Sequence, residues 1–225
     1  MKKELRCLIF DMDGTLVDSE KIYLSSYKRV FAEHNVAIAD NELQQFSGLS
    51  DEDELRAIDA YTQDRALSEI VLSEMIEYAQ IEFDRNRVVL KGGAIELLEY
   101  CQRQHLKLVL ATSTRRQKAQ KMLKTLGIFD YFDALIYGDE VSTPKPEPTI
   151  FLLALERSQM RREDCLVVED SVAGVTAATR ARMSVVQIID DVDPVYFANY
   201  HVSNLLEIKK IIDAHVLPTE EVERA

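Results

Sequence analysis

The strongest constraint on what this chain can fold into is its alternation of short apolar runs with segments of helical period. Residues 5–10, 106–111, 134–137, 166–169 and 185–188 are compact and rich in Leu and β-branched residues, and read as buried strands. Between them, residues 94–104 present Ile95, Leu97, Leu98 and Cys101 at helical spacing, and residues 115–126 end on Gly127 as a helix C-terminal residue. Residues 149–158 follow a Pro-rich turn, and residues 171–182 are Ala-rich. Strands alternating with helices imply right-handed crossovers and a parallel sheet covered on both faces, an α/β core of Rossmann-like type. Residues 203–215 read as a last covering helix and residues 218–225 as a polar tail.

One stretch breaks the alternation. Between about residues 19 and 86 only helical periodicity is found, first in Ile22, Leu24, Tyr27, Val30 and Phe31, then over residues 67–83. The expected organisation is therefore a core of residues 1–17 and 87–225 with an inserted helical domain of residues 18–86. A chain of 225 residues suits one large domain with an insertion. It buries enough apolar surface to fold without a disulfide or structural metal.

Charge narrows the function. With 27 basic against 39 acidic residues the net charge is −12, which opposes binding to nucleic acid or anionic lipid. An anionic ligand then requires a local positive device. The apolar stretch near the N-terminus stops at Phe10, short of the roughly 7–15 residues of a secretory core, and no run approaches a membrane span. Cys7, Cys101 and Cys165 lie far apart with no metal-binding spacing and read as buried hydrophobes. The expectation is a cytoplasmic protein with no nucleic-acid or membrane partner, a monomer by default with a dimer as the alternative.

The chemistry-bearing residues stand at the strand ends. Asp11-Met12-Asp13-Gly14-Thr15 directly follows the first strand, where a carboxylate pair is costly unless used. The carboxyl end of a parallel strand is also where open α/β sheets place ligands. Gly14 lets the backbone turn sharply and bring N–H groups to an anion. Thr112-Ser113-Thr114 ends the second strand with hydroxyls, Lys145 sits in the stiff loop Pro144-Lys145-Pro146-Glu147-Pro148, and Glu169-Asp170-Ser171 ends the fourth strand. Taken singly, Thr112 reads as a helix N-cap, Lys145 as a solvated loop lysine, and Asp170 or Ser171 as a helix cap. Taken together they supply carboxylates for a hard divalent cation, a hydroxyl and an ammonium for phosphate oxygens, and a nucleophile beside an acid. Asp11, Asp170 and the Asp13 carbonyl form the expected Mg²⁺ site, with Glu169 beside or behind it.

In order, Asp11-x-Asp13-Gly14-Thr15, the Thr112 strand end, Lys145-Pro146 and Glu169-Asp170 resemble the four signature motifs of the haloacid dehalogenase superfamily. The inserted helices resemble its helical cap, and the nearest subgroup is the β-phosphoglucomutase-like phosphatases and mutases. The resemblance implies a Mg²⁺-dependent phosphomonoester hydrolase acting on a phosphorylated sugar or other small metabolite. It makes Asp11 the nucleophile that forms an aspartyl phosphate, and Asp13 the acid and then the base. Gly14, Thr15, Thr112, Ser113 and Lys145 hold phosphate, and Asp11, Asp13, Glu169 and Asp170 hold the metal. A dehalogenase needs neither a second acid nor a metal, so Asp13 favours phosphate esters. In the cap, the loop Gly48-Leu49-Ser50 and the hinge Asp18-Ser19-Glu20 match the pattern; Glu20, Lys21, Tyr23, Tyr27, Ser50 and Asp51 are substrate candidates.

The chain departs from the mutases at Tyr23, where they carry His, and at Asp51, where they carry Arg. Losing that Arg removes a bidentate phosphate grip and favours hydrolysis. Arg182 and Gly92 stand where the family often has Gly and Pro, so local backbone changes are expected there. The alternatives are a phosphosugar mutase, a receiver-like phosphorylatable module and a non-catalytic relative.

Overall fold

The computed structural model describes residues 4–46, 51–85, 88–189 and 194–215, with side chains at all of these except Glu20, Gln44, Asp51, Glu52, Asp53 and Asp84. The chain forms two compact units, Met1–Leu16 with Leu90–Ala225, and Val17–Val89.

The first unit is a six-stranded parallel sheet. Its strands are β1 (Cys7–Phe10), β4 (Lys107–Ala111), β5 (Ala134–Ile136), β6 (Cys165–Glu169), β7 (Ser184–Ile188) and β8 (Tyr200–Val202), in the order β5-β4-β1-β6-β7-β8. The first strand is central. After it the chain builds outward through β4 and β5, then crosses to β6 on the other side and builds outward again. The carboxyl end of β1 is thus flanked by the reversal point at which open sheets bind ligands.

Why these runs become strands follows from burial on both faces. Cys7, Ile9, Val109, Ala111, Cys165, Val167 and Val185 form one buried layer with Ile150, Phe151 and Ala154 of α6 (Thr149–Ser158) and Val175, Ala177 and Ala178 of α7 (Val172–Arg180). The alternate residues Leu8, Phe10, Leu108, Leu110, Leu166, Val168 and Val186 are buried too. A strand hidden on both sides reads as a continuous apolar run and not as an alternating one.

The remaining helices of this unit are α4 (Ala94–Arg103), α5 (Arg116–Thr125) and α8 (Ile208–His215). Gly127, at φ +71, follows α5 in the expected left-handed conformation. The last helix is shorter than expected, because Asn204 accepts the Leu206 N–H and opens a 3-10 turn, Leu205–Glu207, before α8 begins. The sequence also hid β8: Tyr200-His201-Val202 is a three-residue edge strand with one buried side chain, too short to show a period. All three cysteines are buried free thiols. Residues 218–225 lie outside the described part.

The second unit is helical, with α1 (Glu20–Glu33), a 3-10 segment Asp40–Phe46, α2 (Asp51–Thr62) and α3 (Arg65–Asp84). Two short strands, β2 (Val17–Asp18) and β3 (Val89–Leu90), pair with each other. Asp64 caps α3 by accepting the Ala66 and Leu67 N–H groups. Its core is aromatic: Tyr27 stacks on Phe46 with centroids 4.6 Å apart, and Phe31 and Tyr61 pack around them. No described helix is long and apolar enough to cross a membrane.

Arg182 connects α7 to β7 at φ +57, an arrangement in which its Cβ crowds the following carbonyl. The side chain is exposed. Relief of that crowding outweighs the extra chain entropy of glycine, so Arg182→Gly should raise unfolding free energy by about 0.5–1 kcal/mol. Denaturant unfolding of the two proteins measures the difference, and a loss of stability would show that the arginine side chain contributes more than its backbone costs.

Candidate active site

Four elements deliver polar groups to the carboxyl edge of the sheet. Asp11 follows β1 and anchors its N–H on the Val168 carbonyl at 2.9 Å, which fixes the start of the turn against β6. Asp11 is buried, and its Oδ1 accepts from Lys145 Nζ. The same ammonium donates to Glu169 Oε1 at 2.7 Å. Lys145 comes from the proline-framed loop after β5, its Nζ 5.1 Å from the Phe151 ring centroid, and the Lys145–Pro146 peptide bond is cis. An ammonium whose side chain is only 8% exposed is no solvated loop lysine; it holds two carboxylates from adjacent strands.

Glu169 is the brace of this arrangement. Its Oε2 accepts the N–H groups of Asp170 (2.8 Å) and Ser171 (2.7 Å) and the Ser171 hydroxyl (3.0 Å). Ser171 in turn caps α7 by accepting the Gly174 N–H at 3.0 Å. The glutamate therefore ties the lysine to the N-terminus of α7, where the unpaired N–H groups favour a negative partner. Beside it, Asp170 Oδ1 accepts from the Thr15 hydroxyl at 2.9 Å. Thr15, expected on phosphate, is wholly buried, and its side chain supports this acid. Gly14, at φ +79, lets the loop pass: a Cβ there would sit 2.1 Å from Asp170 Oδ2.

The electrostatics follow from burial. Desolvation raises the Asp11 carboxyl well above the ordinary aspartate range; Lys145 opposes the rise, while Glu169 and Asp170 add to it. Asp170 is pushed up to about 7, first by burial and then by Glu169. Lys145 moves upward, because the attraction of Asp11 and Glu169 outweighs its own desolvation. Oxygens of Asp11, Glu169 and Asp170 lie within 4.8 Å of one another. Three carboxyl groups against one ammonium leave an excess of two negative charges when all ionise. An all-oxygen donor set of that charge fits a hard divalent cation.

The acid Asp13 lies apart from this cluster. Its Oδ2 accepts from the Thr114 hydroxyl at 2.6 Å, and its Oδ1 is buried with no hydrogen-bond partner. Thr112 is buried; its N–H reaches the Ile136 carbonyl at 3.1 Å, and its Oγ1 accepts the Thr114 N–H at 3.0 Å. Thr112 does not cap α5, whose N-cap is Arg115; its Oγ1 closes a local turn, and the hydroxyl keeps its own proton to donate. Ser113 is exposed.

Sequence reasoning missed two residues, Thr114 and Lys118. Lys118, on the first turn of α5, has its ammonium pulled below the usual lysine range by burial, with the charge of Asp13 opposing. Thr114 was legible only as one more hydroxyl in a run, and Lys118 as an ordinary helix lysine.

The candidates in the helical unit divide differently. Tyr27 is buried in the aromatic core with its hydroxyl on Glu54, which makes it a packing residue and corrects its place among the substrate candidates. Lys21 is exposed and pairs with Asp18 at 2.6 Å. Tyr23 is half-buried, its ring edge-on to Phe83 with centroids 5.5 Å apart. Ser50, the loop Gly48-Leu49-Ser50 and the side chains of Glu20 and Asp51 lie outside the described residues.

Fold and edge together define a parallel α/β enzyme core with its chemistry at the carboxyl ends of the central strands. The family model described as haloacid dehalogenase-like hydrolase matches residues 8–188, and the chain belongs to that family. It is 32% identical over 184 residues to a phosphorylated carbohydrates phosphatase of Thermotoga maritima, covering 79% of this chain and 82% of that one. It is 33% identical over 173 residues to a validoxylamine A 7′-phosphate phosphatase of Streptomyces hygroscopicus subsp. limoneus, covering 77% and 80%. In structure it is similar to a β-phosphoglucomutase of Clostridium difficile, with a TM-score of 0.73 at 21% identity over 93% of this chain and 98% of that one; this likeness concerns the fold.

Gly174 tests the brace directly. A Cβ at this helical position would fall 1.6 Å from Glu169 Oε1, and Glu169 is held on both oxygens. Helix propensity alone makes Gly174→Ala stabilising by about 1 kcal/mol. Collision with a fixed, buried side chain should reverse the sign and destabilise by about 1–2 kcal/mol. Denaturant unfolding decides between the two, and a gain in stability would mean that Glu169 moves freely.

Proposed function

We propose that the chain is a Mg²⁺-dependent phosphomonoester hydrolase acting on a phosphorylated sugar or similar small metabolite. The observation that carries the reading is Lys145, buried between Asp11 and Glu169 and beside Asp170, with Asp13 held separately by Thr114. The family and the phosphatases among its relatives support it.

Asp11 is the nucleophile. Its carboxylate attacks phosphorus, the new O–P bond forms as the bond to the leaving oxygen breaks, and the product is an aspartyl phosphate. Asp13 gives its proton to the leaving oxygen, then takes one from the water that attacks the phosphoenzyme, restoring Asp11. Acid–base help of this kind supplies about 10²- to 10⁴-fold. Thr112 donates its hydroxyl proton to a phosphoryl oxygen, and Lys145 offers its charge to another while orienting Asp11. Gly14 and Ser113 contribute backbone N–H groups. Asp11 and Asp170, with the Asp13 carbonyl, would hold Mg²⁺, while Glu169 stands behind and fixes Lys145 and the α7 end. The cation when bound supplies charge neutralisation between nucleophile and phosphoryl oxygens.

Leaving-group recognition falls to the helical unit of residues 18–86, with Glu20, Tyr23, Ser50 and Asp51 as the candidates. Hydrolysis is preferred to mutase chemistry because Asp51, where the mutases carry Arg, cannot grip a second phosphate.

A phosphate-release screen over a panel of sugar phosphates with Mg²⁺ should find turnover, and Asp11→Asn should lower it by about 10³-fold or more. Equal activity of the variant would remove the nucleophile assignment; isomerised sugar phosphate without release would point to the mutase.

Metal binding has a readout independent of turnover. An ordinary aspartate near 3.8 raised to about 7 stabilises the metal-free fold at low pH, a contribution lost as pH rises through the folded value. The cation takes the deprotonated acids, so the rise in Tm given by Mg²⁺ should grow from about pH 5 to about pH 8. Thermal melts with and without Mg²⁺ measure it, and Asp170→Asn should remove most of the shift. A Tm indifferent to Mg²⁺ at both pH values would count against the site.

A further inference from the structure

We infer that Thr114 is a positioning residue for Asp13, and that it determines which oxygen of the acid carries the working proton. The inference rests on Asp13 as the acid–base of the proposed hydrolysis and goes beyond it to a residue and an atom.

Thr114 Oγ1 donates to Asp13 Oδ2 at 2.6 Å. While Thr114 donates, Oδ2 is the occupied acceptor, so the neutral acid carries its proton best on Oδ1. That atom is the buried one with no partner among the described residues, whereas buried polar atoms are ordinarily paired. The pairing therefore divides the carboxyl: Oδ2 is the anchored acceptor and Oδ1 the free end. In the first step the proton leaves Oδ1 for the leaving oxygen as its bond to phosphorus breaks. In the second, Oδ1 takes a proton from water as the water oxygen bonds to phosphorus and the bond to Asp11 breaks. The threonine keeps its own proton throughout.

Thr114 is itself fixed. Its N–H is held by Thr112 Oγ1 at 3.0 Å, and its carbonyl accepts the Gly138 N–H at 3.1 Å, so its backbone is tied on both sides. A hydroxyl set this way acts as a template for the Asp13 rotamer. It differs in role from Thr112, two residues earlier, which the proposed reaction places on phosphate.

The test compares Thr114→Val, which keeps the shape and removes the donor, with Thr114→Ser, which keeps the donor, and Thr114→Ala in case the valine does not fold. Substrates are the best sugar phosphate from the release panel and p-nitrophenyl phosphate, whose leaving group needs little protonation. Thr114→Val or Thr114→Ala should lower kcat on the sugar phosphate by about 10- to 100-fold with KM little changed, the range expected for losing one hydrogen bond to a charged group. The aryl phosphate should lose much less, Thr114→Ser should recover most of the rate, and Thr114→Val added to Asp13→Asn should cost nothing further. A loss equal on both substrates, a rise in KM alone, or an additive loss in the double variant would overturn the inference and make Thr114 a phosphate ligand or a structural residue. If Asp13→Asn slows the sugar phosphate while both Thr114→Val and Thr114→Ala match the parent, the acid–base reading stands and this inference fails. If Asp13→Asn is itself without effect, both fail.

Discussion

One ammonium, buried between two carboxylates that come from neighbouring strands, is the contact on which the active edge depends. Lys145 reaches Asp11 at the end of β1 and Glu169 at the end of β6 from a loop of a third region, and all three side chains are almost wholly withdrawn from water. Removing one partner from such a buried set typically costs about 3–5 kcal/mol, because the charges left behind keep their desolvation penalty. Several local features make sense only in relation to it. The prolines around Lys145 limit where its side chain can start, Gly174 clears the volume Glu169 occupies, and the first turn of α7 supplies the N–H groups that hold the far oxygen. In the proposed reaction the same contact would orient the nucleophile Asp11 and carry positive charge to where phosphoryl oxygens would arrive.

The chain's acidity gives this local charge its meaning. A surface with net −12 slows the approach of an anion, so recognition depends on short-range groups and not on long-range attraction. Lys145 supplies one positive charge, and in the proposed reading a divalent cation held by Asp11 and Asp170 would supply the rest. The raised acids report the same balance: burial and mutual repulsion penalise ionisation at Asp11 and Asp170, and an added cation removes that penalty. A site of this kind binds its metal more weakly as pH falls, since protons and metal compete for the same oxygens.

Much of this was legible in the sequence, for a definite reason. Strands buried on both faces appear as unbroken apolar runs, and the polar residue that ends each run marks the ligand edge. This made Asp11, Thr112 and Asp170 visible, and the prolines around Lys145 marked a fixed loop. What was hidden depended on distance in space. Glu169 and Asp170 look equivalent as neighbours, yet one turns back onto its own helix end and the lysine while the other pairs with Thr15. Thr15 matches a phosphate-loop threonine by position, and only the fold shows its hydroxyl spent on an acid. Tyr27 lies in the apolar helical period and also stands among the substrate candidates; stacking on Phe46 makes it core. The edge strand β8 was missed because three residues, only Val202 of them buried, are too few to show a period.

The Thr114–Asp13 contact shows how a hidden pairing becomes legible once register is known. β1 and β4 run parallel with Phe10 opposite Leu110. Carried past the strand ends, that register brings Asp13 abreast of residue 113, one position from Thr114. Beyond β4 the chain bends at Ser113 and Thr114, where Thr112 Oγ1 takes the Thr114 N–H, and the bend leaves the second hydroxyl outward between two that are covered. The burial agrees: Thr112 is buried, Ser113 exposed and Thr114 half-buried. The two inward hydroxyls then meet different things, since Thr112 closes the turn and Thr114 reaches the acid of the next strand. In this run of hydroxyls at a strand end, the bend sets which side chains are covered, and the neighbouring strand's register decides which of them meets the second carboxylate.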